Sequence, residues 1–184
     1  MYKGAIIITR KNTVNKLFLF GIIVIFLIGS LFHSVYDFLG EGAFLAIFFP
    51  VNESIFEHIK IAILPIFVWY CLCYFFKRKE LDINKWFTSA LLSMLLAGFL
   101  VPVFYYFFTG SFGFESVAVD IISFALEIAI AQLIARHYYR FGKGICYKKT
   151  LIFMIILIAL VALGTFFPPK IPLFKEESSG TYGV

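Results

Sequence analysis

The chain has 184 residues, of which 61% are hydrophobic, 20% aromatic and only 15% charged, with a net charge of +5. A soluble fold of this length cannot hide so much apolar surface, and the composition equally excludes a disordered, collagen-like or disulfide-framework chain. The length suits one domain, read as an all-α integral membrane bundle of five transmembrane helices over residues 1–184.

Taken in chain order, five apolar runs predict membrane helices near 17–35, 55–76, 87–108, 117–135 and 150–167. Each approaches the roughly 20 residues that cross hydrocarbon. Backbone groups in lipid must pair internally, and none of the runs alternates as a barrel strand does, so all five read as helices. The first run follows basic residues, yet Ser30-Leu31-Phe32-His33 offers no small-x-small cleavage site, so it reads as a retained helix. The connection 38–50 holds a short apolar stretch between Gly42 and Pro50, which reads as re-entrant or interfacial. Cys71 and Cys73 point to different sides of one helix, and Cys146 lies in a basic connection, so no disulfide is expected.

Thirteen of the sixteen Lys and Arg residues precede the first helix or lie in the second and fourth connections. By the positive-inside rule the N-terminus is cytoplasmic and the tail 168–184 is external. The expected location is a bacterial cytoplasmic membrane. The basic charge is topogenic and attracts anionic headgroups, so membrane lipids are the expected partners and nucleic acid is not. A homo-oligomer or a membrane complex is the protein partner class left open. The chain has no internal repeat, Walker motif, Rossmann glycine pattern or Gly-x-Ser-x-Gly elbow, and five unequal spans weaken an inverted-repeat transporter reading.

Polar residues gather on the side read as external. His33 and Asp37 share a helix face and, with His58, form a candidate ligand set for a divalent metal such as zinc. The competing reading puts them in the headgroup layer, where polar groups cost little. Glu41 continues the same spacing. In Pro50-Val51-Asn52-Glu53-Ser54-Ile55-Phe56-Glu57-His58-Ile59-Lys60, Ser54 and Glu57 match a capping box and Asn52 is an alternative cap. Capping does not require Glu53, His58 or Lys60. Glu57 and His58 are therefore the candidate acid–base or ligand pair, while Lys60 pairs with Glu57 or balances a deeper Glu127 or Asp120. In the fourth helix Ser116, Asp120, Ser123 and Glu127 form one polar stripe, which should face the bundle or a hydrated cavity.

The 50–60 motif, together with Pro168-Pro169-Lys170-Ile171-Pro172-Leu173-Phe174 and Gly180-Thr181-Tyr182-Gly183, resembles a family of uncharacterised bacterial multi-pass membrane proteins. The resemblance implies an integral membrane protein and adds weight to Asn52, Glu53, Ser54, Glu57, His58 and Lys60 as site residues. It supplies no reaction. Three readings follow: a site in the outer half of the bundle that binds a cation or a polar or amphiphilic substrate, as in a membrane-embedded hydrolase; a solute, ion or proton transporter or channel component; and a non-catalytic subunit whose polar network fixes helix packing.

Overall fold

The structure, a computed structural model, describes every residue except Met1, Glu41, Phe114, Glu115, Glu177 and Ser178, with side chains from Asn12 onward. The expectation drawn from Glu41 lies outside the described residues. The chain forms α1 (Tyr2–Leu39), a single turn α2 (Ala43–Ala46), α3 (Ile55–Lys77), α4 (Ile83–Phe112), α5 (Val117–Phe141), α6 (Tyr147–Phe166) and a 3-10 turn (Pro172–Phe174). Five of these helices are long and apolar enough to cross a membrane, as in a multi-pass membrane protein. An isolated bridge between Lys175 and Tyr182 is the extent of β pairing among the described residues.

Several helices outrun their apolar segments because backbone hydrogen bonding does not stop where hydrophobicity does. The α4 helix starts at Ile83, where the Asp82 side chain accepts the Lys85 amide at 3.1 Å. It stops at Gly113, which adopts the left-handed conformation that glycine takes at a helix C-terminus. The α5 helix continues through Arg140, whose guanidinium donates to Asn15 Oδ1 of α1.

Helices α1, α3, α4 and α5 close into a ring, with contacts running α1 to α3, α3 to α4, α4 to α5 and α5 back to α1; α6 docks outside it against α4 and α3. One end of the ring is filled by Phe18, Tyr70, Trp86 and Tyr139 packed edge to face or tilted, with Trp86 fully buried. Beside them a polar relay crosses three helices: Tyr70 donates to Gln132, Gln132 donates to Ser93, and Trp86 Nε1 donates to the Tyr70 carbonyl. Such bonds hold helices together where lipid offers no hydrophobic drive.

At the other end α1 is drawn close to α3. Pro65 cannot donate to Ile61 O, four residues back, and this freed carbonyl faces Gly29 of α1. A Cβ on Gly29 would stand 2.5 Å from that oxygen and 2.6 Å from the Phe124 ring. Only a glycine permits this approach. His33 lies one helical turn further along α1, so the contact brings it beside the start of α3.

Candidate functional site

The 50–60 motif divides into two sets of residues with different surroundings. The first set builds the corner. Ser54 caps α3 by accepting the Glu57 amide at 3.3 Å, as the capping box requires, and Asn52 Oδ1 accepts the Ser54 amide at 3.0 Å. Glu57 departs from the box: its Oε2 accepts the Val51 amide at 3.1 Å, and its Oε1 accepts the Thr165 hydroxyl of α6 at 2.6 Å. Lys60 Nζ sits 2.7 Å from Glu57 Oε2, and both side chains are 1% exposed. The ammonium also donates to Ala46 O at 2.6 Å and Phe49 O at 3.2 Å. Three donors thus meet three acceptors. Lys60 is therefore the counter-ion of Glu57 and the cap of the 43–49 turn, which corrects the expectation that it balances Glu127 or Asp120.

The tail completes this corner. Phe174 stacks on Phe56 with ring centres 4.0 Å apart, Asn52 donates to Gly183 O at 3.0 Å, and the Val184 amide donates to Thr165 O at 3.3 Å. Gly183 has φ +62, and a Cβ there would collide with Thr165 O. The two motifs, far apart in sequence, are one structural unit.

The second set faces the other way. His33 Nε2 and His58 Nε2 lie 3.3 and 3.5 Å from the same oxygen, Glu53 Oε2. Their rings are 5.2 Å apart. His58 Nδ1 is 2.9 Å from the Ser54 carbonyl, which accepts its proton and leaves Nε2 directed at Glu53. The hydrogen bond from His33, and then the charges of His33 and His58, hold the Glu53 carboxyl below its ordinary value of 4.5 against the opposing effect of desolvation. Among the described residues the clustered metal-type ligands are His33, Glu53 and His58, with ligand atoms within 4.8 Å of one another. Asp37, one turn beyond His33 and exposed, is outside this cluster.

Behind Glu53 and His58 opens a cavity of about 380 Å³. Val101, Phe104, Tyr105 and Phe108 of α4 and Phe124 of α5 give it an apolar wall. The predicted stripe of α5 lines the opposite side: Ser116, Asp120, Ser123 and Glu127 all reach it. Asp120 is exposed near the mouth, while Glu127 is 4% exposed and has no ion-pair partner among the described residues. Of the residues singled out in the sequence, Glu53, His58, Ser116, Asp120, Ser123 and Glu127 therefore share one cavity. Asn52, Ser54, Glu57 and Lys60 form the corner beside it. The α4 wall and Thr165 were not singled out; the wall residues are apolar within an apolar run, and nothing local marks Thr165.

The sequence matches DUF6512, a family of unknown function, over residues 7–184, and the chain belongs to that family. No curated protein and no solved structure matches it.

Proposed function

We propose that this member of a family of unknown function is a membrane-embedded hydrolase that takes an amphiphilic substrate into its cavity from the outer leaflet. One observation carries the reading: a single cavity joins an aromatic, apolar wall to a mouth of imidazole and carboxylate groups. An acyl or other apolar tail would lie along Val101, Phe104 and Phe108, with the polar head against Glu53, His58 and Asp120. At the mouth, water bonds to the acyl carbon or phosphorus of an ester while its proton passes to Asp120, which returns it to the departing alkoxide. The outer-face placement is supported by the Lys and Arg residues clustered at the opposite end.

The test uses purified protein and vesicles of phosphatidylglycerol and phosphatidylethanolamine, with bound and released species read by mass spectrometry. Wild type retains lipid and releases product. Val101→Trp, which fills the cavity, loses the bound lipid; Asp120→Asn keeps the lipid and stops product release. Wild-type protein that binds no more lipid than a detergent blank overturns the reading.

A second reading, passage of a cation or proton, is favoured by Glu127, a buried carboxylate of mid-α5 that faces the same cavity as Asp120. Proteoliposomes loaded with a pH-sensitive dye distinguish the two. Conduction abolished by Glu127→Gln supports passage, and wild-type liposomes as tight as protein-free ones exclude it.

A further inference from the structure

We propose that His33, Glu53 and His58 bind a divalent cation of the zinc type at the mouth of the cavity. With the Nδ1 proton of His58 given to the Ser54 carbonyl, its Nε2 presents a lone pair to the Glu53 carboxylate 3.5 Å away. Glu53 takes a hydrogen bond from His33, but the His58 lone pair that faces the same oxygen is repelled unless something positive stands between them. Protonation of His58 is one solution and a metal ion is the other. The arrangement matches the second: a histidine that ligates through one nitrogen commonly donates the other N–H to a carbonyl, which fixes the ring.

Dimensions agree. Ligands at the Zn–N and Zn–O distances of roughly 2.0–2.1 Å around a tetrahedron lie roughly 3.3–3.4 Å apart. The two Nε2-to-Oε2 separations are 3.3 and 3.5 Å. The remaining edge, within 4.8 Å, closes by small rotations of side chains that are partly exposed. The surrounding charge also suits a cation. Asp37 on α1, Asp120 on α5 and Glu176 in the tail share this end with Glu53, against Lys175. Lys60 is committed to Glu57. Three protein ligands leave a fourth position, the pattern of a catalytic site rather than a closed structural one. Binding of the ion stands without the amphiphile reading; only the use of the fourth position to activate water for ester cleavage rests on it.

Protein purified without a histidine tag is loaded with zinc, dialysed and analysed for metal, then reloaded with cobalt for visible spectroscopy. Wild type retains one equivalent of zinc, and cobalt gives the absorption of a four- or five-coordinate site without thiolate bands. His33→Ala, His58→Ala and Glu53→Gln each lose the equivalent, while Asp37→Asn and His137→Ala keep it. Glu53, whose side chain is 63% exposed, is the variant least able to disturb folding; zinc raises the melting temperature of wild type but not of Glu53→Gln. Wild type that retains no metal between about pH 6 and about pH 8 overturns the proposal. Retention by all three ligand variants overturns it equally. Lipid bound without metal defeats this site alone, and metal retained without lipid defeats the substrate reading alone.

Discussion

Glu57 gathers the ammonium of Lys60, the amide of Val51 and the hydroxyl of Thr165 from three parts of the chain. Removing one member of a buried ion pair strands the other, at a cost of about 3–5 kcal/mol. Glu57→Gln and Lys60→Met are each expected to lower stability by that amount. The double variant should recover much of it, as read by thermal unfolding in detergent. Glu53 behaves differently because it is exposed and its carboxyl is held below 4.5 by His33 and His58. A depressed carboxyl adds stability above its unfolded value, and that contribution is lost as pH falls through the folded one. Wild type should therefore lose melting temperature below about pH 4.5 more steeply than Glu53→Gln, and equal slopes would refute the assignment. At this scale the cap was legible, since Ser54 and Asn52 act on amides within three residues. The partner of Lys60 was legible only in part. Glu57 is one turn away, but the carbonyls of Ala46 and Phe49 enter through a turn whose path has no local signal.

At the scale of elements, the approach of α1 to α3 depends on Gly29 and on the carbonyl that Pro65 frees. Gly29→Val should push the helices apart, cost about 1–3 kcal/mol and separate His33 from His58. The check is a pair of measurements: a lowered melting temperature, together with loss of the cross-link formed between His33→Cys and His58→Cys in the glycine background. An unchanged cross-link would show that the helices meet without this contact. The number and order of the long helices were legible because apolar runs of spanning length admit few other structures in lipid. The ring they form was not. Its specificity lies in single small residues and in the Tyr70–Gln132–Ser93 relay, whose members are unremarkable in sequence and find one another only when three helices pack.

For the whole molecule, the polar residues divide between two ends, with the basic connections at one and the cavity mouth at the other. The chain carries its own reporter of sidedness. Cys146 is exposed, and the amides of Lys148 and Lys149, aided by their side-chain charges, hold its thiol below the ordinary value and so favour reactive thiolate. If the basic end is cytoplasmic, an impermeant maleimide should label Cys146 only after cells are permeabilised. In a Cys146→Ser background, Lys170→Cys should label in intact cells. The reverse pattern would invert the topology. Composition made the membrane class legible, and the α5 stripe marked one wall of the cavity because carboxylates stand out in an apolar helix. The facing wall on α4 stayed hidden, since Val101 and Phe104 differ in no way from neighbours that face lipid.

The aromatic plug at the basic end has a spectroscopic consequence. The chain has two tryptophans, Trp69 and Trp86, and neither lines the cavity. From His58 to Trp69 the α3 axis rises about 16 Å. Indole emission therefore reports whether the ring of helices stands, and is nearly silent about the tail and the mouth. Phe174 can come away from Phe56 of α3, and Gly183 from Asn52, with the tryptophan spectrum unchanged. A variant that loses ligand while its emission maximum stays put has lost the mouth alone; one whose emission shifts to the red has lost the bundle.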